Sequence, residues 1–154
     1  MIAGQIIGPY FFEQTLNGLR YSNFLEKTLC ELLEDVPLDT RLSMWLKQDG
    51  CPAHYSLAAR RSVEKLFPNK WIGRGGTIAW PPRSPDLTPL DFYFWGRIKD
   101  LVYQQRPTTR DDMKRRISEA CVSLSFEEIL KATDTVIIRA QKCLEQDGKH
   151  FEHL

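Results

Sequence analysis

The sequence predicts an α/β domain in which a mixed sheet with flanking helices is followed by a helical C-terminal layer. Two observations lead to this fold class. Short apolar runs typical of strands alternate with segments of helical periodicity up to about residue 80. From Thr88 onward the apolar residues recur at helical spacing. A length of 154 residues with 42% apolar side chains fits one domain, spanning residues 1–154.

The first 50 residues predict a strand, a helix and a second strand. Residues 6–12 form a short apolar and aromatic run, and Asn17-Gly18 after it is typical of a turn. Apolar side chains over 21–33 recur at i, i+3, i+4 and i+7, which predicts an amphipathic helix. Residues 43–48 are compact and apolar and predict a buried strand that ends at Asp49.

The rest of the chain predicts one more helix and strand, followed by helices. We expect a helix over 56–67 and a short strand over 77–80, entered through a glycine-rich turn. Three further helices are predicted near 88–106, 109–124 and 125–146. The aromatic bulk of Trp45, Trp80 and Trp95 predicts that these side chains lie in the core.

Composition excludes several classes of protein but names no partner. The chain is too apolar for a disordered protein, and its short apolar stretches predict neither a membrane span nor a signal peptide. Its net charge is +1, yet residues 50–85 carry six basic side chains and one acidic one. Such a stretch can bind a polyanion, or it can simply be a solvated helix face. Four widely spaced cysteines indicate reduced thiols.

Two aspartates lie where an active site would be built. Asp49 closes a predicted strand, and ligands of open α/β sheets gather beyond strand carboxyl ends. The simpler interpretation is an Asp-Gly turn. Asp91 follows Thr88 by three residues, which fits a capping box as well as a rigidly held metal ligand. Asp86 is the competing acid and is better explained as a turn former.

A histidine and several cations follow Asp49. Cys51 and His54 have the spacing of a zinc ligand pair, but no second pair stands at finger spacing, which argues against zinc. Taken alone, His54 is explained by packing at a helix start. Arg60, Arg61 and Lys65 could bind phosphates or be solvated charges.

Two dense motifs carry a resemblance to a known family. Residues 48–54 resemble the D-[NG]-x-P-x-H block of mariner-type transposases, and residues 80–91 resemble their SPDLxPxD/E block. Residues 8–12 and 148–154 are also similar to insect members. The resemblance covers essentially the whole chain.

The resemblance implies a ribonuclease-H-like fold in which three carboxylates bind two Mg²⁺ or Mn²⁺ ions for DNA cleavage and strand transfer. By position, Asp49 matches the second carboxylate and Asp91 the third, so both are the implied catalytic and metal-binding residues. The 41 residues between them exceed the commonest mariner spacing. DNA is the implied partner, a dimer is compatible with it, and the implied location is the nucleus. As the histidine of the family block, His54 would contact either DNA or the carboxylate of Asp49. The DNA-binding residues that we expect are His54, Arg60, Arg61, Lys65 and Arg83.

One departure from the family bears on activity. The block resembling S-D-E that would carry the first carboxylate does not occur in these 154 residues, which start in what resembles the end of the second strand. We therefore expect a truncated ribonuclease-H-like fold with the first strand missing, and an inactive transposase fragment. Two alternatives stay open: a domesticated remnant that binds nucleic acid or protein without chemistry, and an active protein whose start has been lost.

Overall fold

The computed structural model describes residues 1–79 and 84–148, which fall into two compact units. One unit joins Met1–Phe11 to Ser84–Leu154, and the other spans Phe12–Arg83. Within the described residues, no helix is both long and apolar enough to cross a lipid bilayer.

The unit spanning Phe12–Arg83 opens with a helix in three parts. Helix α1, Gly18–Asn23, begins where Asn17 Oδ1 accepts a first-turn backbone N–H at 2.9 Å. It continues as a π-helical segment, Phe24–Leu29, and then as α2, Cys30–Leu32. The amphipathic helix predicted over 21–33 is confirmed.

Three shorter helices follow in the same unit. Helix α3 spans Leu38–Ser43, α4 spans Pro52–Tyr55 and α5 spans Leu57–Leu66. Ser56 separates the last two, and its Oγ accepts the Ala59 N–H at 3.2 Å, which caps α5.

The sheet of this unit consists of three short parallel strands in the order β1-β2-β3: Leu46–Lys47, Trp71–Gly73 and Ile78–Ala79. Leu46 pairs with Trp71, and Ile72 pairs with Ile78. The sequence predicts a mixed sheet, whereas these strands are all parallel.

Two strand predictions need correction. Residues 6–12 form no strand, because Gly8 takes a φ of +103° and the following Pro9 has no N–H to donate to a ladder. The strand predicted over 43–48 is reduced to Leu46–Lys47, because Ser43 still belongs to helix α3.

The core of this unit lies between α1, α5 and the sheet. Leu25, Ala59 and Val63 are fully buried there, and Trp71 is 3% exposed. The Trp71 indole N–H donates to Glu64 at 2.9 Å.

The turn after β2 packs directly on the Trp71 ring. A Cβ placed on Gly76 would lie 2.8 Å from ring carbons of Trp71, closer than van der Waals contact permits. Glycine at position 76 therefore lets the turn close over the indole.

The unit containing the C-terminal half of the chain has all of its described helices after Ser84. A 3₁₀ turn, Pro85–Leu87, leads to a π-helical segment, Leu90–Phe94, and helix α6, Trp95–Val102. Helices α7, Arg110–Ser123, and α8, Phe126–Glu145, complete it. The helices predicted in this half are confirmed, with ends shifted by a few residues.

This unit has its own core, built mainly from one face of α6 and the α7–α8 corner. The buried members are Phe94, Ile98, Val102, Ala120, Cys121, Leu124 and Ile129. Trp95 is 53% exposed, and Trp45 of the other unit is 47% exposed, so the predicted burial of both is wrong. Trp80 lies outside the described residues.

Candidate metal and nucleic-acid site

The end of strand β1 is anchored on two sides before the chain reaches Asp49. The Gln48 backbone N–H donates to the Ile72 carbonyl at 2.8 Å, which extends the pairing with β2. The Gln48 side chain is buried, and its Nε2 donates to the Tyr21 hydroxyl at 2.8 Å. The next residue, Asp49, is therefore held at the carboxyl edge of the sheet.

The Asp49 carboxylate organises the loop that follows it. Its Oδ1 accepts the Cys51 backbone N–H at 3.0 Å, an Asx turn, and lies 2.6 Å from His54 Nδ1. Since an ionised carboxylate only accepts, Nδ1 carries the shared proton. Half of the Asp49 side chain remains exposed. Asp49 is thus both a turn residue and a carboxylate available to a ligand.

His54 contacts Asp49 on one side and packs on the other. Its ring centroid lies 4.3 Å from that of Tyr21, with 40° between the planes. Burial raises the pKa of Tyr21 to about 12, and the nearby Asp49 charge acts in the same direction. The Tyr21 hydroxyl therefore stays neutral at physiological pH. His54 therefore both contacts the carboxylate of Asp49 and packs its ring against Tyr21.

Asp91 lies in the other unit, in the first turn of the helix that leads into α6. It is exposed, and its backbone N–H donates to the Thr88 carbonyl at 2.8 Å. Thr88 Oγ1 is buried without a hydrogen-bond partner among the described residues, and Pro89 takes the N-cap position. The capping box, one of the two interpretations of Thr88 and Asp91, does not form, because the Thr88 side chain does not accept the bond that it requires.

The loop before Asp91 is held by helix α8. The Arg139 guanidinium donates to the Asp86 carbonyl oxygen and lies 4.3 Å from the centroid of the Phe92 ring. Asp86 is a member of the 3₁₀ turn, as predicted for a turn former. Arg139 thus contacts the chain before and after Asp91, through a backbone carbonyl on one side and a side-chain ring on the other.

The predicted DNA-binding cations fall in three different settings. Arg61 and Lys65 are exposed on α5. Arg60 lies with its guanidinium carbon 5.5 Å from the centroid of the Tyr55 ring. Arg83 lies outside the described residues.

Two residues beside these cations, Arg74 and Tyr55, were not among the predicted DNA-binding residues. The Arg74 guanidinium carbon lies 4.0 Å from the centroid of the Tyr55 ring, so Arg74 and Arg60 both approach one exposed tyrosine. Tyr55 directly follows His54, so the cationic cluster begins next to the Asp49 loop. The basic stretch over 50–85 includes Arg74, but its approach to Tyr55 depends on the turn after β2.

The residues around Asp49 can hold a metal ion. One donor atom each from Asp49, Cys51 and His54 lies within 4.8 Å of the other two. The exposed carboxylate suits a hard cation such as Mg²⁺, which prefers oxygen ligands. The chain therefore has a fitting carboxylate where the resemblance implies one.

Comparison with known proteins gives a transposase and a methyltransferase as relatives. No family model matches the chain. It is 31% identical over 121 residues to the transposable element Tc3 transposase of Caenorhabditis elegans, an alignment that covers 77% of this chain and 33% of the relative. It is 26% identical over 72 residues to the human histone-lysine N-methyltransferase SETMAR, covering 47% of this chain and 10% of that protein.

The fold matches solved transposase structures. A structure of the Mos1 transposase catalytic domain with raltegravir and Mn superposes with a TM-score of 0.83 at 22% identity, covering 97% of this chain and 74% of that one. A Mos1 mariner paired-end complex with Mn superposes with a TM-score of 0.82 at 22% identity, covering 97% of this chain and 43% of that one. The chain spans a third or less of the length of the curated relatives it matches. In sequence the chain is thus similar to the Tc3 transposase, and its fold is that of part of the ribonuclease-H-like catalytic domain of Mos1 mariner transposase.

Proposed function

We propose that this chain is the metal- and DNA-binding part of a transposase, in which Asp49 and Asp91 hold Mg²⁺ or Mn²⁺ ions for DNA cleavage and strand transfer. The observation that supports this most is the position of Asp49, an exposed carboxylate at the carboxyl edge of a parallel sheet. The relative Tc3 is a transposase, and Mos1 structures contain Mn or Mg.

The divalent ions, when bound, activate the attacking oxygen and stabilise the leaving oxygen of a phosphoryl transfer. The chain's own residues position the site. Cys51 and His54 fix the rotamer of Asp49 through its Oδ1. Arg139 holds the loop that carries Asp91.

DNA is the partner in this proposal. Arg60 and Arg74 beside Tyr55 offer two guanidinium groups for phosphates next to the Asp49 loop. A Mos1 complex with a left transposon end has the same fold. A transposase acting on chromosomal DNA would work in the nucleus.

The polypeptide of these 154 residues supplies two of the three carboxylates that the resemblance implies. We therefore expect it to bind Mn²⁺ weakly and to produce no nicks in supercoiled DNA with either Mg²⁺ or Mn²⁺. Titration of free Mn²⁺ by electron paramagnetic resonance measures binding, and gel electrophoresis of the plasmid measures nicking.

The variants make this test specific. Asp49→Asn and Asp91→Asn should each weaken Mn²⁺ binding, whereas Asp111→Asn, at an exposed carboxylate of α7, should not. Equal Mn²⁺ binding by all three variants would refute the metal assignment. Metal-dependent nicking that Asp49→Asn abolishes would refute the expected inactivity.

A further inference from the structure

The loop after strand β1 and the start of helix α4 bring three donor atoms of different chemical character together within six residues. They are a carboxylate oxygen of Asp49, the Cys51 thiol sulfur and an imidazole nitrogen of His54, all within 4.8 Å of one another. Mg²⁺ needs oxygen ligands, whereas thiolate and imidazole favour ions such as Zn²⁺ and Co²⁺. Two of these three donors are therefore unsuited to Mg²⁺.

The separations of the donor atoms, 2.6 Å for one pair and at most 4.8 Å for the others, span the range that a tetrahedral site requires. With bonds of about 2.0–2.1 Å to nitrogen or oxygen and about 2.3 Å to sulfur, tetrahedral ligand atoms lie about 3.3–3.6 Å apart. The pair formed by Asp49 Oδ1 and His54 Nδ1 is closer, at 2.6 Å, because the two atoms share a proton. An ion that replaces this proton has to increase the distance between these two atoms by less than about 1 Å.

The three residues are also held in place without a metal. The Cys51 N–H bond to Asp49 fixes the turn, and Pro52 starts helix α4 immediately afterwards. The His54 ring is packed against Tyr21. Ligands that are ordered beforehand lose less conformational entropy when the ion binds.

We propose that Asp49, Cys51 and His54 form a binding site for a borderline-soft divalent cation of the Zn²⁺ or Co²⁺ class, with water as the fourth ligand. In the sequence, the lack of a second pair of Cys or His ligands argues against zinc. In the structure, the carboxylate of Asp49 adds a third donor to Cys51 and His54. This inference does not depend on the proposed function, since it requires neither Asp91 nor DNA. An ion in this site occupies the carboxylate that Mg²⁺ would use.

Cobalt titration of the whole chain tests the proposal directly. Under reducing, chelator-free conditions, Co²⁺ should produce visible bands of tetrahedral intensity and a thiolate-to-cobalt charge-transfer band in the near ultraviolet. Added Zn²⁺ should abolish both, whereas a large excess of Mg²⁺ should leave them in place. A wild-type protein without the charge-transfer band would overturn the assignment.

Variants assign the ligands. Cys51→Ser should remove the charge-transfer band, and His54→Ala should weaken Co²⁺ binding by on the order of tenfold or more. Cys30→Ser, at an exposed thiol of α2, is the matched control and should keep the band. Circular dichroism checks that each variant is folded. A band that survives Cys51→Ser, or that disappears with Cys30→Ser, contradicts the site.

The two metal proposals share Asp49 but differ in their other ligands, so Asp91 and Cys51 variants tell their failures apart. Mn²⁺ binding should require Asp91 and tolerate Cys51→Ser. Cobalt binding should require Cys51 and tolerate Asp91→Asn.

Discussion

At the scale of single residues, Tyr21 connects the core to the candidate site. It is 8% exposed, accepts a hydrogen bond from the buried Gln48 side chain, and packs its ring on His54. The hydroxyl and the ring therefore have separate roles. The hydroxyl satisfies a buried amide at the end of β1, and the ring positions the histidine that contacts Asp49.

Tyr21→Phe should separate these two roles. The variant keeps the ring but leaves the Gln48 N–H donor buried without its acceptor, which costs about 1–3 kcal/mol of unfolding free energy. Urea unfolding measures the loss, and cobalt binding should be largely retained. Tyr103→Phe, at a tyrosine that is 55% exposed, is the control. Equal stability of the two variants would contradict the role of the hydroxyl.

At the scale of elements, helix α7 depends on a carboxylate in its first turn. The Thr108 backbone N–H and the Arg116 and Arg115 guanidinium groups donate to Asp112, and they hold its pKa well below the usual range. Thr109 Oγ1 accepts the Asp112 N–H at 3.0 Å. Asp112 therefore donates its backbone N–H to the Thr109 cap, and its side chain pairs with two guanidinium groups.

The lowered pKa predicts a pH-dependent contribution to stability. Ionised Asp112 stabilises the fold at pH values above its unfolded-state pKa, which is near 3.8, and this contribution is lost as the pH falls through the lowered folded value. Asp112→Asn should therefore reduce the melting temperature at pH 7, and the difference from wild type should shrink below about pH 4. Asp111→Asn should show neither effect. A difference that stays constant with pH would argue against the ion pairs.

At the scale of the whole molecule, charge is distributed unevenly while the net charge is close to zero. Residues 50–85 hold six basic side chains against one acidic one, and Arg60 and Arg74 of this stretch meet at Tyr55. A local excess of positive charge attracts a polyanion even when the overall balance is +1. DNA binding should therefore be tolerant of sequence and sensitive to salt.

Arg74→Ala should make DNA binding weaker and less dependent on salt. Each phosphate contact that is lost lowers the slope of log affinity against log salt concentration by about 1. Fluorescence anisotropy at several salt concentrations gives the slope. Arg115→Ala is the control, because Asp112 and Glu119 already pair with this guanidinium. An unchanged slope for Arg74→Ala would exclude a phosphate contact.

Helical periodicity predicted most of the helices, whereas apolar runs predicted the strands less well. Residues 6–12 are apolar enough for a strand, yet Ile6 packs on a helical core. Apolar side chains indicate burial, whereas strand pairing also depends on backbone that Gly8 and Pro9 do not provide. Burial of large aromatic residues was predicted from size alone, and Trp95 shows that size does not decide which face of a helix is covered.

Local sequence also predicted part of the candidate site. Asp49, Cys51 and His54 lie within six residues, so their close spacing along the chain is enough to indicate that they can meet. The contact of Arg74 with Tyr55 joins positions 19 residues apart and depends on the course of the chain after β2. Spacing along the chain carries no information about such a contact.

The packing of Gly76 over Trp71 gives the unit spanning Phe12–Arg83 an internal optical probe. An indole that is 3% exposed emits at shorter wavelength than one in water, and its N–H bond to Glu64 holds it in a single environment. The Trp71→Phe difference spectrum therefore isolates the emission of one buried fluorophore. Its shift to longer wavelength marks the moment at which solvent enters between the sheet and α5, so the opening of this core can be timed in a stopped-flow experiment without an attached dye.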